Sequence, residues 1–411
     1  MNHLTTEHQY CAQNYTPLPV VLTRGEGVWL WDDKGNKYLD MMSAYSAVSH
    51  GHSHPKLVEV LTKQASRLAV TSRAFHNDQL GKFLEKLCQV SGFDKALPMN
   101  TGAEAVETAI KAARRWGYQV KGIPHNKAEI IVADQNFHGR TTTIISFSSD
   151  ESYKEDFGPL TPGFKIVPFG DADAVANAIT ENTCAILMEP IQGEAGIRVP
   201  PDGWLGKLRT LCDQHNVLLI LDEIQSGLGR TGKMFAFEHD GIQPDALTVG
   251  KALGGGLLPV SAFLARKDVM DVFTAGSHGS TFGGNPLAAA VGYEALWLLD
   301  EGRLPQRSAE LGTKLKAGLR AVGKSLFTDI RGRGLWVGVD LAPGHVSGAE
   351  LCRDLMKVGV LTKETHENTL RFAPPLIITE SEIDWALEKI GTVVDRLLRG
   401  TQTHSPELEL A

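Results

Sequence analysis

The chain has 411 residues, 42% of them hydrophobic and 22% charged, with 41 basic and 48 acidic side chains giving a net charge of −7. This is an ordinary globular composition, long enough for about two or three domains and a sizeable core. The acidic balance excludes a general attraction to nucleic acid or to an anionic membrane surface.

Residues 1–45 read as an extended, turn-rich arm. Its start, MNHLTTEHQYCAQNY, has neither an apolar h-region nor an Arg-rich amphipathic pattern. No apolar run in the chain approaches the roughly 20 residues that span a bilayer. The five cysteines are scattered and form no CxxC pair, which argues against a disulfide framework or zinc site and for a reducing compartment. A cytoplasmic protein is expected. GVWLWDDKGNKYLD has the pattern of a hairpin. From about residue 55, HPKLVEVLTKQASRLA is helical in pattern. In MNTGAEAVETAIKAARRWGY, Thr101 and Glu104 stand at capping-box spacing before an Ala-rich helix.

Short apolar runs then alternate with helical stretches: AEIIVA (128–133), CAILMEP (184–190), VLLILDE (217–223), ALTVG (246–250) and VSAFLA (260–265). The near-continuous apolar character of the first four suits strands buried on both faces. The alternation predicts an α/β fold, with a mostly parallel sheet flanked by helices over residues 46–290. NPLAAAVGYEALWLLDEG (285–302) predicts a long helix leaving that domain. Residues 291–398 predict a smaller α+β domain, and RGTQTHSPELELA (399–411) a frayed tail. Ligands gather at the carboxyl ends of parallel strands. The residues to inspect are therefore Phe137, His138, Glu189, Asp222, Gln225 and Lys251.

Three motifs point elsewhere. GLGRTGKM (227–234) satisfies G-x-x-x-x-G-K, but Met234 stands where a P-loop needs a magnesium-binding hydroxyl. It reads as a glycine-rich loop. HGHSHP (50–55) lacks a nearby cysteine or carboxylates at ligand spacing, and reads as a turn into the helix after Pro55. No metal site is expected. In the pair Asp222–Glu223, neighbouring strand residues face opposite ways, so one can reach a ligand while the other serves the fold.

Lys251 follows a buried-type strand and precedes three glycines, with no acidic residue within five positions. An amine that forms a Schiff base needs a flexible stem, partial desolvation and a cationic neighbour. Pyridoxal phosphate chemistry also needs a carboxylate for the ring nitrogen and an anion site for the phosphate. Asp222, at the end of VLLILD, is a candidate for the first. The helix start at Gly102 and Ala103 is a candidate for the second. Phe137 can stack on a ring.

LDEIQSGLGRTGK and LTVGKALGGGLLPVSA resemble the class III (subgroup II) pyridoxal phosphate-dependent aminotransferases of fold type I. NYTPLPV, SAYSAVSHGHSHP, MNTGAEAVETAIKAARRWGY and EPIQGEAG are similar to the ornithine branch of that family. The resemblance covers about residues 15–398. It implies that Lys251 anchors the cofactor and moves a proton, with Asp222 on the ring nitrogen and Gln225 on the ring hydroxyl. Ile224 and Phe137 would take the two ring faces, and Gly102 and Ala103 the phosphate. Ser280 and Thr281 would join the phosphate site from the other subunit of a homodimer, which can assemble further. Tyr15, Tyr45 and Arg140 would hold the distal end of L-ornithine. Arg371 would grip the α-carboxylate of glutamate or 2-oxoglutarate, masked by Glu194 when ornithine is bound. One departure is His138, where some ornithine enzymes carry a larger aromatic. The implied reaction moves the δ-amino group of L-ornithine to 2-oxoglutarate. The rival readings are a class III enzyme for N-acetylornithine, 4-aminobutyrate or a related ω-amine, and, more distantly, a nucleotide-binding protein built on GLGRTGK.

Overall fold

A computed structural model describes residues 3–402. The chain opens with a helix, His3–Tyr10, in place of the expected extended start. None of its side chains is buried, so packing does not hold it. The segment lacks Gly and Pro, and nothing local forbids the helix. Strands β1 (Leu22–Glu26), β2 (Trp29–Asp32) and β3 (Lys37–Asp40) follow, antiparallel to one another. The β2–β3 turn is closed by Asp32, whose Oδ1 accepts from the Lys34 and Asn36 N–H groups.

The central sheet has seven strands: β4 (Lys95–Met99), β5 (Glu129–Ala133), β6 (Phe164–Val167), β7 (Thr183–Met188), β8 (Leu218–Asp222), β9 (Ala246–Val249) and β10 (Ser261–Ala265). Their spatial order is β4-β10-β9-β8-β7-β5-β6. β6, β5, β7, β8 and β9 pair in parallel, while β10 is antiparallel to both its neighbours. Every residue of β7 through β10 is buried, which explains their continuous apolar runs. The apolar pattern misses β4 and β6. They are the two edges of the sheet, half exposed, and one carries Pro98. The helix Gly102–Trp116 starts behind a Thr101–Glu104 capping box, and Pro286–Glu301 forms the long helix after the sheet.

The C-terminal part adds β11 (Phe327–Gly332), β12 (Val337–Leu341), β13 (Val360–Leu361), β14 (Lys363–Thr365) and β15 (Thr369–Phe372). An antiparallel sheet runs in the order β11-β12-β15-β14, and β13 pairs in parallel with β3, tying the arm to this part. The last helix, Glu380–Gln402, runs past the expected start of a tail at 399. Leu397 and Leu398 pack partly against the core and carry it on. Residues 403–411 of that expected tail lie outside the described residues. Among the described residues, no helix is long and apolar enough to cross a membrane.

Candidate active site

A cavity of about 210 Å³ opens at the carboxyl ends of β5, β7 and β8. Of the nine residues singled out for a cofactor, seven line it: Gly102, Ala103, Phe137, Asp222, Ile224, Gln225 and Lys251. Ser280 and Thr281 do not line it. Thr281 is exposed beside Phe282, which is 55% exposed, and Ser280 accepts a hydrogen bond from Asn100 at 2.8 Å.

The last residue of β8 turns its carboxylate into the cavity, where three donors orient it. Asp222 Oδ1 accepts from Ile224 N–H and the Thr248 hydroxyl, each at 3.0 Å, and Oδ2 lies 2.6 Å from His138 Nδ1. Burial lowers the pKa of His138, but its hydrogen bond and Coulombic attraction to Asp222 outweigh that and leave it raised. Its buried Nε2 has no partner. Glu189, whose Oε2 accepts from Phe137 N–H at 3.0 Å, has its pKa pushed up to about 7, chiefly by burial. The neighbouring Glu223 faces away from the cavity and accepts from Ala236 and Phe237 N–H at 2.6 and 2.9 Å. Burial raises its pKa to about 8. One member of the acidic pair thus serves the cavity and the other the fold.

Lys251 lies on the turn after β9 with φ of 45°, a left-handed conformation that costs a non-glycine residue energy and marks functional sites. Burial lowers its amine pKa; Glu194 and Asp222 oppose this, and Arg371 adds to it. Arg371 is thus the candidate for the cationic neighbour expected of a Schiff-base lysine. After Lys251 the chain must turn back, and Gly255, at φ of 61°, sits where a Cβ would come 2.8 Å from Leu57. Gln225 reaches the cavity across Gly193, where a Cβ would lie 2.1 Å from the Gln225 amide oxygen. Also lining the cavity, Gly102 and Ala103 open their helix, and as first-turn residues their N–H groups have no carbonyl within it to meet.

The substrate candidates fall in two groups. Arg371, on β15, is buried, and its Nη1 lies 2.8 Å from Glu194 Oε2. This is ionic contact without hydrogen-bond alignment, because Nη1 and Nε have no hydrogen-bond partner. The guanidinium lies 4.9 Å from the centre of the Tyr45 ring, and Lys251 Nζ lies 6.0 Å from it. The Tyr45 ring thus lies between Lys251 and Arg371. In the second group, Arg140 donates to the Tyr15 hydroxyl at 3.3 Å and lies over Phe137. Tyr15 and Tyr45 share a larger cavity of about 630 Å³ lined by the arm. Sequence reading missed Tyr153, whose hydroxyl accepts from Arg140 at 3.4 Å and whose ring is 4.9 Å from that guanidinium. It sits in a three-residue 3₁₀ turn with no periodic signal. His138 is among the residues inspected, but nothing in the sequence ties it to Asp222.

The glycine-rich loop of GLGRTGKM holds no anion cradle. Gly229 and Gly232 pack against Pro305 and Ala309 of the Leu304–Gly323 helix, and the Arg230 side chain between them in sequence is fully buried.

The site belongs to an aminotransferase. The class III aminotransferase family model matches residues 10–394, and the chain belongs to that family. It is 56% identical over 385 residues to an ornithine aminotransferase from Geobacillus sp. (strain WCH70), covering 94% of this chain and 96% of that protein. A solved ornithine aminotransferase from Toxoplasma gondii aligns with a TM-score of 0.95 at 42% identity, covering 97% and 95%. A solved acetylornithine aminotransferase from Elizabethkingia anophelis aligns with a TM-score of 0.88 at 50% identity, covering 96% and 98%. The fold is that of the fold type I enzymes.

The residues present fit pyridoxal 5′-phosphate, the cofactor of this family. A lysine with lowered pKa, a three-fold hydrogen-bonded carboxylate and free helix-start N–H groups share one cavity. Phe137 and Ile224 both line the cavity and offer apolar surface to an aromatic ring.

Proposed function

We propose that this chain transfers the δ-amino group of L-ornithine to 2-oxoglutarate, giving L-glutamate 5-semialdehyde and L-glutamate. The observation that carries this reading is the Glu194–Arg371 pair over Tyr45. One site must take a donor whose reacting end bears no carboxylate and an acceptor whose reacting end does. A buried arginine that a neighbouring carboxylate could cover or release would meet both demands.

Pyridoxal phosphate, when bound, supplies an electron sink that stabilises negative charge on the carbon bearing the reacting nitrogen. Lys251 would hold the cofactor through its amine and, once the substrate amine displaces it, would act as a free amine of lowered pKa that carries the proton from the carbon losing nitrogen to the cofactor carbon gaining it, the 2-oxoglutarate half-reaction running this transfer in reverse. Asp222, oriented by Ile224, Thr248 and His138, keeps the ring nitrogen positive. Gln225 would meet the ring hydroxyl, Phe137 and Ile224 would exclude water from the ring faces, and Gly102 and Ala103 would hold the phosphate. Arg140 with Tyr15 and Tyr45 orients the distal amino acid group of ornithine. Arg371 grips the α-carboxylate of 2-oxoglutarate once Glu194 swings away.

This reading takes 1–45 as an arm joined to a small domain (291–398) and 46–290 as the cofactor domain, supported by the β3–β13 pairing. It also takes the enzyme as a homodimer in which Ser280 and Thr281 serve the partner's phosphate site, supported by their position outside this chain's own cavity. Five free cysteines suit a cytoplasmic setting.

The test is a spectrum of the purified holoenzyme before and after L-ornithine, followed by a donor panel. The cofactor band converts with L-ornithine and turnover needs 2-oxoglutarate. Good turnover of N-acetylornithine with none of ornithine would replace the reading by its rival, which the 50% identical acetylornithine relative keeps in view.

A further inference from the structure

Four consecutive residues, Ser43, Ala44, Tyr45 and Ser46, have φ of 44°, 46°, 58° and 74°. No glycine is among them. A left-handed backbone strains every residue with a Cβ, so this turn persists only if its surroundings over-determine it. Asp40 Oδ1 caps its start by accepting from Met42 and Ser43 N–H at 2.9 and 2.8 Å. Further support comes from one residue outside the active site.

Arg230, from the glycine-rich loop, is fully buried, with no carboxylate among the described residues in hydrogen-bond contact. Burial pulls its pKa down to about 9, with Asp40 opposing, so it stays charged at neutral pH. Its fork spans three segments. Nη1 donates to the carbonyls of Leu335 at 3.0 Å and Pro374 at 2.7 Å. Nη2 donates to the hydroxyls of Ser43 at 3.2 Å and Ser49 at 3.0 Å, on either side of Tyr45. Ser43 in turn donates to the carbonyl of Ala373 at 2.6 Å, and Leu376 N–H donates to the carbonyl of Ser49 at 2.8 Å. Ala373 and Pro374 directly follow the strand that carries Arg371.

We propose that Arg230 is a positioning residue for substrate selection: it locks the left-handed Tyr45 turn to the exit of the Arg371 strand, and so fixes the spacing of the Tyr45 ring, Arg371 and Lys251. A lysine cannot replace it. Its three donors leave one point, whereas the guanidinium serves four acceptors in one plane. The inference rests on the proposed roles of Tyr45 and Arg371.

The test uses Arg230→Lys holoenzyme, with KM and kcat measured for the amine donor and for 2-oxoglutarate, beside the cofactor spectrum and melting temperature. The expected result is an unchanged cofactor band, KM raised at least fivefold for both substrates, and a smaller fall in kcat. KM values within twofold of wild type, whatever the loss of melting temperature, would make Arg230 merely structural and overturn the proposal. If Arg230→Lys does not fold, Ser43→Ala and Ser49→Ala decide. Each removes one acceptor, and a KM increase of at least threefold in either supports the lock, while wild-type KM in both overturns it. Wild-type turnover of L-ornithine tests the proposed function separately. The variant ratios are read with whichever amine donor the wild type accepts, so either idea can fail without the other.

Discussion

The Arg371 guanidinium lies 4.9 Å from the centre of the Tyr45 ring, with Glu194 against its other reach at 2.8 Å. Ring and carboxylate fix the plane of the arginine while leaving Nε and Nη1 without hydrogen bonds. A buried donor without an acceptor is costly, and a ligand carboxylate removes that cost. Arg371→Lys keeps the charge and loses the plane. A hydrogen bond to a charged group contributes about 1.5–3 kcal/mol. The expected outcome is therefore a rise of about 10- to 100-fold in KM for 2-oxoglutarate, with the ornithine half-reaction changed far less. Steady-state and single-turnover kinetics read the two halves separately.

Glu194 acts on the same arginine with the opposite sign. Glu194→Gln leaves Arg371 uncovered and favours donors that bring an α-carboxylate to the reacting end. Specificity is a difference of affinities, and a change of about 1.4 kcal/mol in that difference moves the glutamate-to-ornithine rate ratio by about tenfold. The expected direction is toward glutamate. An unchanged ratio would leave the pair as a structural ion pair only.

Buried-strand residues were the most legible part of this molecule. β5, β7, β8, β9 and β10 are buried on both faces and read as plain apolar runs, and each delivers a residue to the site or flanks one that does. The edges β4 and β6 are half wet and lack that signal. Lys251 stood out because it had no local partner, and Asp222 and Gly102 because of their places at a strand end and a helix start. The contact of His138 with Asp222 spans 84 positions, and that of Arg140 with Tyr153 depends on a short turn. Neither has a period or a spacing to read. Arg230 was visible only as part of a misleading P-loop pattern, because four acceptors from distant segments define its role.

Asp222→Asn should separate holding the cofactor from activating it. An amide at this position keeps most of the shape but cannot hold a positive ring nitrogen by charge. The loss of one preorganised electrostatic partner is worth about 10²–10³ in kcat. Lys251 remains to anchor the cofactor, so the visible band should persist while turnover falls by that factor. Loss of the band itself would place Asp222 mainly in cofactor binding.

Two buried carboxyls make a signed prediction about pH. Burial raises the pKa of Glu189 to about 7 and of Glu223 to about 8, both above the ordinary carboxylate value of about 4.3. Between those limits the folded chain holds protons that the unfolded chain has released. The stabilisation is therefore fully present below about pH 4.3 and is lost as pH rises through about 7 and 8. Urea midpoints measured from pH 6 to 9 should fall for the wild type through this contribution. Glu223→Gln cannot release a proton, so its midpoints should fall less steeply, even though the amide meets the Ala236 and Phe237 donors less well and lowers stability at pH 6. Equal slopes in the two proteins would mean that those two N–H groups keep Glu223 ionised across the whole range, and that hydrogen bonding, not burial, sets its charge.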